Sequence, residues 1–105
     1  MRELRFIAEK QKLKKDLDCD FRNIVAGSVG YLRAVFETTS EWNRCAMVAK
    51  FSGGGNEDFA PVVDGKCVIP ESVLGGRSFV VQLLGTRGDG YKIASTEVIV
   101  LQKEA

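Results

Sequence analysis

The chain has 105 residues, of which 45% are hydrophobic and 28% charged, the composition of an ordinary globular protein of single-domain size. Its formal net charge of +1 gives no electrostatic basis for binding nucleic acid, which needs clustered cations that neutralise phosphates. The one basic run, residues 10–15, is followed at once by Asp16, Asp18 and Asp20, so we interpret it as a solvated segment. We therefore predict one domain over residues 1–105 and no nucleic-acid partner.

The first residues contain no signal peptide, because Arg2, Glu3 and Arg5 interrupt any apolar segment there. No run of apolar residues approaches the roughly 18 that a membrane span requires. We expect a protein that is made and retained in the cytoplasm, has no membrane partner, and leaves the cell only as part of a virion.

The inventory of reactive side chains is small: Cys19, Cys45 and Cys67 are the only cysteines, and there is no histidine. The spacing of the cysteines matches neither a disulfide framework nor a zinc motif, so we expect free thiols that are buried or half-buried. Without an imidazole, no Ser-His or Cys-His nucleophile can be assembled. Gly53-Gly54-Gly55 lacks the lysine and the following helix of a phosphate-binding loop. We predict no catalytic residue, no metal site and no cofactor, and hence a protein that is not an enzyme.

Short alternations of apolar and polar residues dominate the chain and predict β-strands. In chain order, the predicted strands are residues 4–9, 31–37, 44–51, 58–63, 67–69, 78–85 and 91–101. The charged stretch 11–20 is ambiguous, and an extended edge segment between sheets is one interpretation of it.

The segments between these strands carry turn signals. Ser40–Asn43 is predicted to be a turn. Gly53–Asn56 is predicted to be a flexible loop or a tight turn, because glycine readily takes positive φ. Asp64-Gly65 is a favoured hairpin pair. Pro70–Gly75 is typical of a single helical turn, with proline and an acid at its start and glycine past its end.

Alternation gives each sheet one apolar face, and two such faces must meet. We therefore predict an all-β sandwich of about seven strands, with an immunoglobulin-like Greek-key arrangement as the commonest way to connect them. A partly open β-barrel is the alternative. Trp42 and Phe51 are predicted to lie in the core with the other phenylalanines, which leaves Tyr31 and Tyr91 as the exposed rings.

Arg87-Gly88-Asp89 lies at the predicted tip of the last hairpin. Some fibronectin-type sandwiches present the same tripeptide to integrins from a similar loop, so these three residues are the candidates for partner contact. Three common surface residues arise easily by chance in a turn, and an ordinary hairpin tip is therefore the favoured interpretation.

Several segments also occur in a recognisable order: residues 31–36, Glu41-Trp42, residues 49–51, residues 64–71, residues 79–85 and a final valine-rich strand. This order resembles the short prophage-encoded immunoglobulin-like proteins found among tail and baseplate genes of Gram-positive bacteria and their phages. The resemblance covers nearly the whole chain, and Glu41-Trp42 and Cys67–Glu71 are its strongest pieces. Asn43-Arg44-Cys45 and the Gly53-Gly54-Gly55 loop depart from the pattern.

The resemblance implies a sandwich domain with a structural or host-adhesion role in a virion, and it brings no catalytic residues with it. We expect a non-enzymatic module of a phage tail or baseplate, with other virion subunits or a host surface component as partners and with homo-oligomerisation left open. A prophage-encoded inhibitor of a host protein and a carbohydrate-binding module are the alternatives. Loops and sheet edges are the expected contact regions, because edge strands offer unpaired backbone groups.

Overall fold

The structure, a computed structural model, describes residues 1–105. It contains two single-turn 3-10 helices, Ser40–Trp42 and Glu71–Val73. Its nine strands are β1 Arg2–Glu9, β2 Lys12–Lys15, β3 Leu32–Thr38, β4 Ala46–Gly53, β5 Asn56–Val62, β6 Lys66–Val68, β7 Ser78–Thr86, β8 Lys92–Ala94 and β9 Val98–Leu101. No helix is long and apolar enough to cross a membrane.

The strands form two sheets. The smaller sheet has the order β2-β1-β3-β6, and the larger has the order β5-β4-β7, with β8 and β9 lying end to end along the far side of β7. Neighbouring strands are antiparallel except β1 and β3, which run parallel. The sheets pack face to face, so the predicted all-β sandwich is confirmed, and its arrangement is consistent with an immunoglobulin-like fold. They do not join into a partly open barrel.

The core lies between the two sheets as one cluster of 20 buried apolar residues. The predicted inward alternations are confirmed, for instance in β1 and β7, whose alternate residues are fully buried. Trp42 and Phe51 are 1% and 0% exposed, as predicted. The Trp42 indole Nε1 donates to the Lys10 carbonyl at 2.7 Å, which provides the partner that a buried indole N–H requires.

The ambiguous stretch 11–20 contains β2, which the sequence analysis did not predict as a separate strand. Lys12–Lys15 turns back on β1 as an antiparallel edge strand. Leu13 is its one buried residue. A four-residue strand with a single apolar anchor leaves too little alternation to be recognised in the sequence.

The predicted single strand 91–101 is wrong, because residues 95–97 divide it into β8 and β9. Ala94 pairs with Leu84, and Val98 pairs with Val81. Residues 95–97 therefore lie opposite only residues 82 and 83 of β7, and the extra residue forms a bulge. Ser95 turns inward there, and its hydroxyl accepts the backbone N–H of Leu83 at 2.9 Å.

Two turns contain consecutive residues with positive φ, as the sequence indicated. Gly54 and Gly55, at +58° and +80°, close the hairpin between β4 and β5. Asp64 and Gly65, at +53° and +76°, form the second turn. The predicted hairpin does not extend beyond this turn, because β5 and β6 belong to different sheets and only an isolated bridge pairs Val63 with Lys66. The turn therefore carries the chain from the larger sheet to the smaller one.

All three cysteines are free thiols, as predicted: Cys67 is buried, and Cys19 and Cys45 are half-buried. Burial raises the pKa of the Cys67 thiol to about 12, because the interior disfavours the thiolate.

Candidate interaction surface

The outer side of the larger sheet is apolar across its width. Val48 on β4 lies opposite Pro61 on β5 and Leu84 on β7, and Leu84 lies opposite Ala94 on β8. Residues that are directly opposite project from the same side of a sheet. One apolar row therefore crosses the sheet from edge to edge.

A second apolar group lies further along the same side. Val80 on β7 pairs with Ile99 on β9, which is 58% exposed, and Leu101 beyond it is 70% exposed. Phe59 on β5 is 51% exposed and lies opposite Lys50. We call this surface the apolar face, and it comprises Val48, Phe59, Pro61, Val80, Leu84, Ala94, Ile99 and Leu101.

Polar residues interrupt the apolar face: Lys50 and Gln82 lie in the row of Phe59, and Ser52 and Glu57 lie level with Val80. Three of these four side chains have partners. The Lys50 ammonium lies 3.4 Å from the Glu57 carboxylate. The Gln82 side-chain amide donates to the carbonyl of Ser95 at 2.9 Å. Covering this surface would therefore leave few polar groups without a partner, which is the main penalty of burial for such groups.

A shallow groove with a volume of about 480 Å³ borders the apolar face at Leu101. Phe21 and Ile24 contribute its other apolar side chains. The other residues that line the groove are polar: Arg22, Asn23, Gln102 and Lys103.

The outer side of the smaller sheet is charged instead. The Glu3 carboxylate accepts hydrogen bonds from Arg33 at 2.6 Å and from Arg5 at 3.1 Å, and the Lys66 ammonium lies 3.9 Å away. The Arg33 hydrogen bond is the main reason why the pKa of Glu3 lies below its ordinary value. An ionised network of this kind is best satisfied when it stays in water.

Arg87, Gly88 and Asp89, the candidates for partner contact, lie in the turn between β7 and β8. The Arg87 guanidinium lies 3.9 Å from the centre of the Tyr91 ring and donates to the Asn43 carbonyl at 3.4 Å. The Asp89 carboxylate accepts the backbone N–H of Tyr91 at 3.1 Å. Asp89 therefore stabilises its own loop, and Arg87 connects this loop to the segment after Trp42. The role of both side chains in partner contact stays a prediction.

The aromatic side chains differ from expectation at two positions. Tyr91 is half-buried, because its hydroxyl donates to the Glu41 carbonyl at 2.8 Å. Phe59 is exposed, whereas the sequence placed the phenylalanines in the core. The register explains this: Asp58 lies opposite the inward Phe51, so the next residue on β5 must point outward. Tyr31 is 50% exposed, as predicted.

No three Cys, Asp or Glu side chains come together where they could hold a metal ion. The chain matches no protein-family model, no curated protein and no solved structure. We take the apolar face as the candidate interaction surface, and the sequence analysis did not single it out.

Proposed function

We propose that this chain is a non-enzymatic structural module of a phage tail or baseplate, and that it binds a neighbouring subunit through the apolar face. The biological setting rests on the resemblance of residues 31–101 to immunoglobulin-like proteins of prophage tail and baseplate genes. The mode of action rests on one observation, the apolar row that crosses the outer side of the larger sheet.

The position of the apolar face supports a binding role. Its eight side chains, each taking about 4.8 Å by 6.6 Å on one side of the sheet, give it a plan area of roughly 250 Å². Patches of a few hundred Å² occur on monomeric proteins, and the largest of them is often functional. The pairing of Lys50 with Glu57 and of Gln82 with Ser95 further lowers the cost of covering this surface.

The exposed rings give less support to a carbohydrate-binding module. Sugar recognition by stacking requires aromatic faces on one surface. Phe59 belongs to the larger sheet, whereas Tyr31 directly precedes β3 of the smaller sheet. These two exposed rings do not share a sheet face, so a common platform for a sugar is lacking.

The proposal can be tested by capture from a lysate of the phage-producing host. The bait is the tagged wild-type protein, and the captured proteins are identified by mass spectrometry. Ile99→Asp places a charge in the apolar face, and Val68→Asp is the matched control, an exposed valine on the outer side of the smaller sheet. We expect wild type and Val68→Asp to capture tail or baseplate subunits and Ile99→Asp to lose them.

Two results would contradict the proposal. Tail subunits captured equally by all three baits would show that the apolar face is not used. Specific capture of a host protein alone, with no tail or baseplate subunit, would favour the inhibitor alternative.

A further inference from the structure

We propose that the free edge of β9 binds an extended peptide segment of another protein, which adds to the larger sheet as a further strand. The binding groups are the backbone N–H and C=O of Ile99 and Leu101. This edge adjoins the apolar face but is a separate site, because it recognises main chain at the side of the sheet. It is independent of the proposed function.

The pairing of β9 with β7 determines which backbone groups point away from the sheet. The Gln102 N–H donates to the Arg77 carbonyl at 2.7 Å, so these two opposite residues form a hydrogen-bonded pair. Such pairs alternate with non-hydrogen-bonded pairs along an antiparallel ladder. Ile99 and Leu101 therefore belong to the non-hydrogen-bonded pairs, and their N–H and C=O groups point to the free edge. None of these four groups has a hydrogen-bond partner.

The longest edge strand, β5, is protected against strand addition. Pro61 has no N–H to donate, and the Phe59 N–H donates to the Asp58 carboxylate at 2.8 Å. Proline and locally satisfied donors are devices that stop an edge from pairing with another chain.

The shorter edges do not offer two open residues in succession either. On β6, the N–H and the C=O of Lys66 are both paired with Val63. On β2, the Leu13 N–H donates to the Thr96 hydroxyl at 3.1 Å. On β8, the Ala94 carbonyl accepts the side-chain amide of Gln11 at 3.2 Å. The two successive open residues of β9 are therefore exceptional in this molecule.

The open stretch is short, because the chain itself occupies both of its ends. Before it, the Thr96 N–H donates to the Gln11 carbonyl at 2.8 Å. After it, Lys103 donates to the Ile24 carbonyl at 2.7 Å and accepts the Ala26 N–H at 2.8 Å, in an isolated parallel bridge. The bridge shows that this edge accepts a neighbouring strand. It limits a further one to roughly five residues, at about 3.3 Å each.

These closed ends favour a free peptide segment over a second copy of this chain. If β9 paired with the same strand of another copy, with Ile99 opposite the other copy's Leu101, Glu97 would face the other copy's Lys103. Residues 24–26 already occupy the edge at that position. A short segment that ends before Lys103 avoids this overlap.

A specific contact keeps the chain's own loop away from the open stretch. Next to the bridge, Asn23 has a positive φ of +57°. The Arg2 guanidinium, on β1 of the smaller sheet, donates to the carbonyls of Asp20, Arg22 and Asn23 at 2.9, 2.6 and 3.2 Å. The loop is thereby held toward the smaller sheet, and the groove of about 480 Å³ lies between it and Leu101.

The side chains around the edge indicate apolar residues in the segment. Alternate side chains of an added strand lie on opposite sides of the sheet. One set would lie beside Ile99 and Leu101, which are 58% and 70% exposed, and the other would lie toward Phe21 in the groove.

The charges at the groove indicate an acidic residue as well. The Lys103 ammonium donates to the Asn23 side chain at 2.6 Å, and the Lys15 ammonium lies 5.2 Å from the centre of the Phe21 ring. Neither ammonium has a carboxylate partner. Since Glu97 precedes the open stretch at its other end, we expect the carboxylate of the segment to lie near Lys103.

Selection from a displayed library of random octapeptides, with the wild-type protein as target, provides the probe. The enriched peptides are synthesised and titrated into isotope-labelled protein, and binding is followed by NMR. We expect sequences rich in β-branched residues, which favour extended chain, with at least one acid.

Proline variants separate backbone recognition from side-chain contact. Leu101→Pro removes an N–H that β7 does not use, a position at which an edge strand tolerates proline. It should weaken peptide binding about tenfold or more, and Ile99→Pro is the second, independent variant. Leu101→Thr keeps the N–H and should bind within about threefold of the wild type. Val68→Pro is the matched control, because the Val68 N–H also points to a free edge, that of the smaller sheet. Circular dichroism and melting curves establish that each variant is folded.

Amide hydrogen exchange reports on the same backbone groups directly. In the free protein, the amide protons of Ile99 and Leu101 should exchange freely, whereas that of Val100, which points to β7, should be protected. Bound peptide should slow exchange at Ile99 and Leu101.

Several results would overturn this inference. Protection of Ile99 and Leu101 in the free protein would show that the edge is closed. A selection that enriches no peptide, or equal binding by wild type and both proline variants, would show that the edge is not a peptide site. A loss in Leu101→Thr as large as in Leu101→Pro would assign binding to side chains. Self-association of the wild type that Leu101→Pro abolishes would make a second copy the occupant. The capture of tail subunits tests the proposed function separately, and its failure would leave the peptide site in place.

Discussion

The two sheets of this sandwich share one core but have opposite outer sides. The smaller sheet carries the carboxylate of Glu3 among Arg5, Arg33 and Lys66, whereas the larger sheet carries an apolar row centred on Leu84. Packing of the core constrains only the inward residues of each strand, so the outward residues are free to differ. The difference between the two outer sides therefore carries information about function rather than about folding.

Desolvation favours the larger sheet as the side that would bind. Removing the Glu3 network from water would desolvate four charged groups, whereas covering the apolar face would desolvate the pair Lys50–Glu57. Covering an apolar surface instead contributes about 25 cal/mol for each Å² removed from water. We expect the smaller sheet to stay hydrated while the larger sheet binds.

The largest expected effect is a difference in stability between alanine variants of two phenylalanines. The two residues lie on adjacent strands of the larger sheet and on opposite sides of it. Phe51→Ala removes a fully buried ring and should cost about 3–5 kcal/mol of unfolding free energy. Phe59→Ala removes a ring from the apolar face and should cost under about 1 kcal/mol in the dilute, single-chain state. Denaturant unfolding of both variants at low protein concentration measures the contrast. Equal losses would mean that the outer side is covered within one chain.

A smaller loss of stability is expected at acid pH, and it tests the charged outer side of the smaller sheet. The pKa of Glu3 is lowered in the folded protein, chiefly by the Arg33 hydrogen bond. Its stabilisation is therefore fully present above its ordinary value of 4.5 and is lost as the pH falls through the lowered folded value. Glu3→Gln should reduce the fall in melting temperature across this acid range. Glu41→Gln is the comparison variant, since the pKa of Glu41 is lowered by the Thr39 hydroxyl outside this network. A wild-type slope retained in Glu3→Gln would contradict a stabilising Glu3 network.

The smallest expected effect is a difference in thiol reactivity, and it concerns the inner side of the smaller sheet. With a pKa of about 12, the Cys67 thiol should remain unmodified by iodoacetamide at mildly alkaline pH, because the thiolate is the reactive form. Half-buried Cys19 and Cys45 should react faster, and denaturant should make all three react alike. Peptide mapping by mass spectrometry follows each site. Rapid native labelling of Cys67 would show that the smaller sheet opens to solvent.

Much of the fold could be predicted because period-two patterning indicates which residues of most strands face inward. Leu4, Phe6 and Ala8 are one example, and their burial follows from alternation without any knowledge of neighbouring strands. The break between β8 and β9 could not be predicted, because it depends on the hydrogen bond between Ser95 and Leu83, twelve residues apart.

The apolar face could be predicted only in part. Residues 79–84 contain Val80 and Leu84 between the inward residues, and such a nearly continuous apolar run is typical of strands that are covered on both sides. The full surface also requires residues of β4, β5, β8 and β9 to lie side by side. That depends on strand order and register, which a single sequence does not specify. For this reason the sequence favoured loops and edges as contact regions.

The parallel pairing of β1 with β3 has a kinetic consequence. The strand Arg2–Glu9 can form a hairpin with β2 early in synthesis, but its other neighbour is complete only when Thr38 has been added. Closing the long loop between β1 and β3 costs chain entropy before the pairing compensates for it. Domains dominated by such distant pairings typically fold in milliseconds to seconds, far more slowly than helical bundles of similar size. The pairing of β1 with β3 should therefore form later than the hairpin of β1 with β2.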